Sequence, residues 1–564
     1  MYPADRPADY CRIVIRLCML LVLPLSGCHV PAAQGPADSF GLDLSLPSGA
    51  RTDGTVIFLI DGVSAEVFHD MLDAGELPAM RKYFVNRGLY APRAVANTPA
   101  VTLANLASVA TGLFPGHHGV TGINWFDRNC LIWRDYETIG QKNSLDGDYQ
   151  AANIYEQFPD RTTVSVFFQP HRQATKFIEN WTSAGPPFCF RWYEFVDRLT
   201  LYRLNLVADL ARKQEGWPAV TIVYLLAPDF RAYACGVSSD SYRQAIRHAD
   251  YQIGRVLGDL DRAGLLENLV IAVVSDHGLG DVGRHFRMAS HLRRKLGLNV
   301  AKRRLWEQTS FEKRLQYYQR FSAVVFGSGD RFFGLSLRKP IRDEGKIVGL
   351  EDWTVRPSAD DLRAYPTHDG KEVDLIGHLA GLPAVEAVAY AVDADRVRLV
   401  LSGGEVEFCQ PAGPAGEIGC RVITGDDPLG WHDAIPSEAQ AGEPMSSRQW
   451  LKATIGTDYP DLPSGLLAYF RARRAGDVVV FAAPGWDFNT VLSAGHGGLN
   501  ASEMLVPMLL AGPGVPKGTV PFARTVDLMP TLLELLGKNV PDGLDGESVL
   551  KFVTADVGES PPGD

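Results

Sequence analysis

The sequence predicts an α/β fold, in which a mostly parallel sheet is covered by helices on both faces and an α+β subdomain is inserted late in the chain. Two observations predict this fold: short apolar runs alternate with helical patterns, and residues 286–474 break that alternation. A composition of 46% hydrophobic and 21% charged residues over 564 positions is that of a globular protein and excludes a disordered or fibrous chain. The net charge of −11 disfavours nucleic-acid binding through a basic face.

The strands of the predicted sheet are runs of apolar, largely β-branched residues: Thr55–Ile60, Val164–Phe168, Val220–Leu226, Leu269–Ser275, Val478–Ala483 and Met504–Leu510. A long amphipathic helix is predicted between the third and fourth runs, from about Ser241 to Ala263, because apolar residues recur there at steps of three and four. A last helix is predicted over Val526–Leu536, followed by Gly537 as the glycine that ends it.

This pattern divides the chain into a core, residues 55–285 and 475–550, and an inserted cap subdomain, residues 286–474. The inserted stretch is too long for a loop and contains short strand-like runs such as Val397–Leu401. Residues 28–54 are interpreted as a linker and residues 551–564 as a disordered tail.

The N-terminus is typical of a secretory leader, because arginines precede an apolar run, Leu17–Leu25, that is too short to span a bilayer as a helix. The residues Leu25–Cys28 resemble the lipobox of bacterial lipoproteins, whose cysteine is acylated after cleavage in front of it. The resemblance implies a signal peptide over residues 1–27 and a lipid anchor at Cys28. It also implies the bacterial cell envelope, on the outer membrane and facing either the periplasm or the cell surface, since His29 and not an aspartate follows the cysteine. An ordinary secretory leader with a chance cysteine is the alternative.

Five cysteines lie after this segment: Cys130, Cys189, Cys235, Cys409 and Cys420. Their odd number leaves at least one free or paired between chains. Cys409 and Cys420 flank a turn rich in glycine and proline and could form a disulfide across a hairpin. No pair has the CxxC spacing of a structural zinc site.

Carboxylates follow three of the predicted strands. Asp61 comes after the first strand, Asp229 after the third, and Asp276 with His277 after the fourth. The carboxyl ends of parallel strands meet at one edge of a sheet, where ligands bind, and neighbouring carboxylates are stable together only around cations. Together with His277 and His496, which lies in a later Gly-His-Gly loop, this donor set is typical of zinc or a similar divalent metal.

A set of ordered motifs resembles the type I phosphodiesterase/nucleotide pyrophosphatase family of the alkaline phosphatase superfamily. The motifs are Asp61-Gly62, Pro99–Asn105 with Thr111–Gly119, Ser275–Gly278, Ala494–Gly497 and the tail Asp527–Gly537. They cover both flanks of the chain, residues 55–285 and 475–550. The resemblance implies an alkaline-phosphatase-like catalytic core and a metal-dependent phosphoesterase, a phosphodiesterase or nucleotide pyrophosphatase that acts through a phosphothreonine intermediate.

Carried over to this chain, the resemblance implies that Thr102 is the nucleophile and binds a metal also held by Asp61, Asp276 and His277. Metal coordination would make the threonine hydroxyl nucleophilic. A position at the start of a helix favours a phosphoryl group. The family also places an asparagine amide on a phosphoryl oxygen; Asn124 is the nearest match, and Asn105 is the alternative.

A second metal of this family is held by an aspartate, a histidine four residues later and a distant histidine. Asp229 and His496 match the outer two positions, but Tyr233 stands at the middle one. A phenol has a pKa near 10 and is a costly metal ligand. The resemblance therefore implies two ions, most simply Zn²⁺, while Tyr233 leaves one ion as the alternative.

Two functions remain open at this point. The first is an enzyme acting on a small phosphate ester or nucleotide; the second, favoured by Tyr233, is a degenerate, non-catalytic lipoprotein that binds a phosphorylated ligand or partner. Sulfatase chemistry is excluded, because the residues around Thr102 lack the Cys/Ser-x-Pro-x-Arg motif. No arginine neighbours Thr102 in sequence to clamp a phosphate monoester, which favours diesters.

Overall fold

The computed structural model describes residues 53–137, 144–179, 181–214, 216–302, 309–411, 416–489 and 491–554. The predicted leader, Cys28, most of the linker and residues 555–564 of the predicted tail lie outside the described residues. None of the helices within these ranges has the length and apolar character needed to cross a membrane.

The strands, numbered along the chain, are β1 (Gly54–Ile60), β2 (Leu89–Val95), β3 (Asn124–Asp127), β4 (Ile132–Asp135), β5 (Thr163–Val166), β6 (Lys176–Ile178), β7 (Val220–Leu225), β8 (Leu269–Val274), β9 (Gly280–His285), β10 (Ala323–Ser328), β11 (Phe332–Leu337), β12 (Pro340–Asp343), β13 (Lys346–Leu350), β14 (Tyr365–Pro366), β15 (Glu372–Val373), β16 (Val385–Ala391), β17 (Arg396–Leu401), β18 (Gly404–Cys409), β19 (Gly419–Thr424), β20 (Val478–Ala482), β21 (Gly485–Asp487), β22 (Ala494–Gly495), β23 (Leu505–Ala511), β24 (Gly518–Thr519) and β25 (Ala523–Arg524).

The α-helices are α1 (Ala65–Asp73), α2 (Pro78–Met80), α3 (Thr102–Thr111), α4 (Pro115–His118), α5 (Leu145–Asp148), α6 (Trp181–Cys189), α7 (Tyr193–Gln214), α8 (Ala227–Cys235), α9 (Asp240–Arg262), α10 (Met288–Arg294), α11 (Phe311–Tyr318), α12 (Ala359–Arg363), α13 (Leu375–Ala380), α14 (Ser437–Gln440), α15 (Ser447–Thr454), α16 (Leu462–Arg471), α17 (Ala501–Met504) and α18 (Leu528–Leu535). The described helical segments also include a π-helix over Arg81–Val85 and short 3₁₀ helices at Ile154–Gln157, Leu266–Asn268, Thr525–Asp527 and Val549–Phe552.

The larger sheet is mostly parallel, as predicted. Within the described residues it has nine strands, in the order β24-β2-β23-β8-β1-β7-β5-β6, with β25 beside β2. The central strand β1 pairs in parallel with β7 and β8, with Ile60 opposite Leu225 and Leu59 opposite Val274. The carboxyl ends of these three strands are therefore level. Strand β23 runs antiparallel to both β2 and β8.

Helices cover both faces of this sheet because its strands are apolar on both sides. Val56 and Phe58 of β1 belong to a core that includes residues of α1, α7 and α9. Ile57 and Leu59 belong to a second core that includes residues of α3 and α18. Successive side chains of a strand point to opposite faces, so one buried strand supports both layers. The predicted amphipathic helix and last helix are confirmed as α9 and α18.

A second sheet is antiparallel and is built mainly from the inserted segment. Its described strands run in the order β10-β11-β20-β16-β17-β18-β19. The prediction that Val478–Ala483 belongs to the core sheet is wrong, because β20 lies between β11 and β16 of this second sheet. All five residues of β20 are buried. Such a run looks the same in a parallel core and in an antiparallel sheet covered on both faces, so periodicity cannot distinguish them.

Two smaller predictions are also corrected. Residues 551–554, assigned to a disordered tail, complete the 3₁₀ turn Val549–Phe552 and form a bridge between Thr554 and Thr519. Cys409 and Cys420 are both free. Cys420 lies opposite Phe408 in the β18–β19 hairpin, one position out of step with Cys409. The two side chains consequently point to opposite faces of the sheet and cannot form a disulfide.

Candidate metal centre and active site

The predicted site residues meet at the carboxyl edge of β1, β7 and β8. Asp61 directly follows β1, Asp276 and His277 follow β8, and Asp229 lies in the first turn of α8, just after β7. Gly62 has a φ of +65°, and a Cβ at this position would lie 2.8 Å from Cβ of Asp229. Glycine is therefore required after Asp61, because the turn that presents one carboxylate passes directly against the segment that carries another.

Thr102 lies in the same space, at the start of helix α3, of which it is the first residue. The N-cap residue before it, Val101, has an extended backbone and makes no side-chain hydrogen bond to the start of the helix. The Thr102 hydroxyl does not cap the helix: Thr102 Oγ1 lies 3.0 Å from Nε2 of His277. The Nδ1 atom of His277 lies 3.0 Å from the carbonyl oxygen of Gly278, which can only accept, so Nδ1 carries the proton and the Thr102 hydroxyl donates to Nε2.

Asp61, Asp276 and His277 form one compact donor group. Nε2 of His277 lies 3.4 Å from Oδ1 of Asp61 and 3.5 Å from Oδ2 of Asp276. All three side chains are almost completely buried. Asp61, Asp276 and His277 each offer a ligand atom, and these atoms lie within 4.8 Å of one another. The structure places these three side chains and Thr102 within one small volume.

A second donor group is formed by Asp229, His277 and His496, again with ligand atoms within 4.8 Å of one another. Nδ1 of His496 donates to the carbonyl oxygen of Ala100 at 2.8 Å, which leaves Nε2 as the ligand atom. The rings of His277 and His496 are stacked with centroids 3.6 Å apart. His277 is therefore common to both groups within the part of the chain that the structure describes.

The electrostatics of these residues fit a divalent cation. Oδ1 of Asp61, Oδ1 of Asp229 and Oδ2 of Asp276 are buried and take part in no hydrogen bond with the described residues. Burial raises the pKa of Asp61 to about 7, and burial with the neighbouring Asp61 charge raises the pKa of Asp229 and of Asp276. Burial also lowers the pKa of His277 and His496, which favours neutral, ligating imidazoles. Unpartnered carboxylate oxygens beside neutral imidazoles are a donor set that a divalent metal satisfies.

Tyr233 lies at the edge of the second donor group. Its ring centroid is 5.8 Å from that of His496. Burial, followed by the charges of Asp229 and Asp330, raises the pKa of the Tyr233 phenol well above its ordinary value. A raised pKa disfavours the phenolate form that binds metal. Among the His, Cys, Asp and Glu side chains of the described residues, only the shared His277 joins Asp229 and His496.

The two candidate asparagines differ in the hydrogen bonds of their side-chain amides. Oδ1 of Asn105 accepts from the backbone and side-chain nitrogens of Asn97, and Nδ2 donates to the carbonyl oxygens of Pro99 and Val101. The alternative assignment of Asn105 to a phosphoryl oxygen is therefore wrong, because its amide is fully used in holding the loop before Thr102. Oδ1 of the partly buried Asn124 accepts from the Gly327 N–H at 2.9 Å, which leaves its Nδ2 end as a donor.

Several supporting residues were missed by sequence reasoning. The Tyr224 hydroxyl, one residue before the end of β7, donates to Oδ2 of Asp61. Ser275 accepts from the Val63 N–H at 2.8 Å and donates to the carbonyl oxygen of His277 at 3.0 Å. A signal for Ser275 was present in its position beside Asp276 and His277. Tyr224 gave none, because an aromatic residue in a buried strand usually belongs to the core.

Comparisons with known proteins find relatives in one family. The family model of the type I phosphodiesterase / nucleotide pyrophosphatase matches residues 55–327. Ectonucleotide pyrophosphatase/phosphodiesterase family member 1 from Homo sapiens is 24% identical over 246 residues, covering 41% of this chain and 24% of that protein. The Rattus norvegicus protein is 25% identical over 243 residues, covering 41% of this chain and 25% of its own length. The chain thus matches about a quarter of the length of these relatives.

Solved structures with this fold include human ectonucleotide pyrophosphatase / phosphodiesterase 5, with a TM-score of 0.56 at 13% identity over 89% of this chain and 100% of that chain. The murine protein, in an inactive variant with alanine in place of a threonine and in complex with AMP, has a TM-score of 0.53 at 15% identity over 89% of this chain and 100% of that chain. Both likenesses concern the fold. Residues 55–327, which carry Asp61, Thr102, Asp229, Asp276 and His277, are thus the part of the chain that matches the type I phosphodiesterase / nucleotide pyrophosphatase family.

Proposed function

We propose that the protein is a metal-dependent phosphoesterase, a phosphodiesterase or nucleotide pyrophosphatase that acts through a phosphothreonine at Thr102. The observation that carries the proposal is the contact of Thr102 Oγ1 with His277 Nε2 at 3.0 Å, inside a buried group in which Oδ1 of Asp61 and Oδ2 of Asp276 have no hydrogen-bond partner among the described residues. A threonine at the first position of a helix does not need buried carboxylates and imidazoles around it to stabilise the fold. The family model and the complex of a fold relative with AMP support a nucleotide or related ester as substrate.

In this proposal Thr102 Oγ loses its proton to solvent and forms a bond to phosphorus as the bond from phosphorus to the leaving oxygen breaks, and the leaving oxygen takes up a proton from solvent. A bound divalent cation, most simply Zn²⁺, would lower the pKa of the Thr102 hydroxyl and neutralise charge on the phosphoryl oxygens. Asp61, Asp276 and His277 would hold it, with Asp229 and His496 available to a second ion. The backbone N–H groups at the start of α3 and Nδ2 of Asn124 donate to phosphoryl oxygens. Water then cleaves the bond between Oγ and phosphorus and regenerates Thr102.

The test is replacement of Thr102 by alanine and, as a matched control, by serine. With an aryl phosphodiester, Thr102→Ala should abolish turnover and Thr102→Ser should retain part of it, since serine keeps the hydroxyl. Acid quench of a single turnover should trap phosphate on the wild-type chain at residue 102. Full activity in Thr102→Ala would contradict the proposal.

A second candidate is a non-catalytic protein that binds a phosphorylated ligand, and Tyr233 is the observation that favours it. Metal analysis of the purified protein separates the two candidates. Bound divalent metal with turnover supports the enzyme, whereas no bound metal and no turnover over a panel of phosphate esters supports the binding protein.

For the N-terminus we propose acylation of Cys28 and attachment to the bacterial outer membrane, on the evidence of the Leu25–Cys28 lipobox. Expression with an alkyne-labelled fatty acid should label the wild-type chain and leave Cys28→Ala unlabelled. Equal labelling of both chains would contradict the proposal.

A further inference from the structure

An exposed aromatic stripe lies at the start of helix α7. Six aromatic side chains are strongly exposed among the described residues, and four of them fall within residues 190–202: Phe190 and Trp192 are each 58% exposed, Phe195 is 38% exposed and Tyr202 is 46% exposed. Scattered exposed aromatics are ordinary, but a cluster of this kind marks an interaction surface.

Helical geometry aligns three of these side chains, and the fourth, Phe190, lies beside Trp192 with ring centroids 5.7 Å apart. Trp192 directly precedes α7, and Phe195, Leu199 and Tyr202 follow at steps of three and four residues, which places them on one face. The opposite face of α7 is already buried through residues such as Val196, Leu204 and Val207. The stripe is therefore not part of the buried face of α7. Its members are Phe190, Trp192, Phe195, Leu199 and Tyr202.

The charges beside the stripe are positive. Arg191 and Arg198 are exposed, and the guanidinium carbon of Arg198 lies 5.0 Å from the Phe195 ring centroid. The nearby carboxylates are already engaged. Glu194 pairs with Arg231 at 2.6 Å, and the buried Asp197 accepts from the Leu226 and Ala227 N–H groups. On a chain with a net charge of −11, this surface is therefore locally cationic.

Aromatic rings interleaved with arginines fit the interface of a lipid bilayer. Trp, Tyr and Phe settle at the boundary of headgroups and acyl chains, and arginine pairs with lipid phosphates. A second copy of the chain fits less well, since a two-fold axis through the stripe would place arginines against arginines. Anionic headgroups are the complementary partner.

The position of the chain start is compatible with such docking. Thr55 of β1 pairs with Val220 of β7, so the chain enters at the edge of the sheet where α7 ends. The residues between Cys28 and Asp53 span at most about 80–90 Å when fully extended. The 22 residues of α7 measure only about 33 Å. An anchor at Cys28 and the whole stripe can therefore reach one bilayer surface.

We propose that the stripe on α7 docks the protein flat on a bilayer surface that contains anionic phospholipid. Trp192 and the flanking phenylalanines insert at the headgroup boundary, and Arg191 and Arg198 contact lipid phosphates. This surface is separate from the metal-binding residues and does not depend on the proposed activity.

The test measures tryptophan insertion in the full-length protein on vesicles of phosphatidylcholine and phosphatidylglycerol. Lipids brominated on the acyl chains should quench part of the intrinsic tryptophan fluorescence. Trp192→Phe should remove most of that quenching, while Trp486→Phe, a partly buried residue of β21, should not. A fatty-acid anchor cannot mimic this result, because quenching reports the depth of the indole. Unchanged quenching in Trp192→Phe would overturn the proposal.

A second set of variants tests the headgroup charge and the alternative partner. Arg191→Gln with Arg198→Gln should weaken docking roughly fivefold per arginine. Equal quenching by this double variant, or equal quenching on vesicles of phosphatidylcholine alone, would overturn the anionic partner. Sedimentation without vesicles should show no self-association through the stripe. A dimer that Trp192→Ser abolishes would overturn the bilayer in favour of a second copy. Far-ultraviolet circular dichroism and Tm should be the same in every variant, which establishes that each one is folded.

Discussion

Arg331 and Glu503 form an ion pair, with Nε 2.9 Å from Oε1, in which both side chains are almost completely buried between the two sheets. Glu503 also accepts from the Gly498 N–H at 2.6 Å through its carboxylate and from the Gly278 N–H at 2.8 Å through its carbonyl oxygen. The Arg331 N–H in turn donates to the carbonyl oxygen of His496 at 3.1 Å. Glu503 thus connects the loops of His277 and His496 to the second sheet through its pair with Arg331.

We expect Glu503→Gln to lower both stability and metal affinity. The variant leaves the Arg331 guanidinium buried without its counter-charge, which costs about 3–5 kcal/mol when a buried pair is broken. Because the loop of His496 rests on the Glu503 carboxylate through the Gly498 N–H, metal affinity should fall by about 10–100-fold, as for other residues that orient ligands. Thermal unfolding and metal titration check this prediction. Asp393→Asn, which breaks the exposed pair with Arg396, is the control and should change neither. A lower Tm with unchanged metal affinity would mean that the pair supports the fold alone.

Tyr233→His should increase the amount of metal bound. An imidazole at this position would give Asp229 and His496 a third donor independent of His277, which now belongs to both donor groups. Metal content of the purified variant should rise by one ion relative to the wild-type chain. Tyr233→Phe is the matched control, because it removes only the phenol oxygen. It should leave metal content unchanged, and loss of an ion in this variant would identify the phenol as a ligand.

The stability of the metal-free protein should fall as pH rises above about 6.5. Burial raises the pKa of Asp61 to about 7, whereas an aspartate in the unfolded chain titrates near 3.9. The folded state therefore binds more protons than the unfolded state between these values, so the free energy of unfolding decreases with pH over that window, and the raised pKa values of Asp229 and Asp276 carry the decrease to higher pH. His496, whose pKa burial lowers to about 4, acts in the opposite direction only below about pH 6.5, where the unfolded histidine is protonated. Thermal unfolding with a chelator checks the slope, and added Zn²⁺ should raise Tm more at the higher pH. A pH-independent Tm without metal would contradict this account.

Asp61→Asn should separate the stability of the metal-free fold from metal binding. The amide removes the charge that burial disfavours and still accepts from the Tyr224 hydroxyl. Tm of the metal-free variant at alkaline pH should therefore exceed that of the wild-type chain by about 2–4 °C. The stabilisation by added metal should be lost. Asp259→Asn, an exposed residue paired with Arg262, should change neither quantity. A lower Tm in metal-free Asp61→Asn would contradict the pKa direction.

Asn105→Ala should lower the stability of the protein, whereas Asn124→Ala should lower kcat. The Asn105 amide is completely buried and holds the loop at Asn97 and Pro99, so its removal should cost about 1–3 kcal/mol of stability. Asn124→Ala should reduce kcat by about 10²–10³-fold if its amide donates to the phosphoryl group, with a small change in Tm. Unfolding curves and steady-state kinetics measured side by side distinguish the two. Unchanged kcat in Asn124→Ala would remove that residue from the site.

The sequence by itself determined the sheet that carries the site and most of the donor residues. Apolar runs predicted β1, β7 and β8, and the residues that follow them, Asp61, Asp229 and Asp276, meet because parallel strands end at one edge. The tertiary structure decided what depends on contacts distant in sequence. It placed β20 in the second sheet, engaged the Asn105 amide in a loop, put Cys409 and Cys420 on opposite faces, and made His277 common to two donor groups. Periodicity reports which residues are buried, but the partner strand, the hydrogen-bond partner of an amide and the sharing of an imidazole are set only when the layers pack.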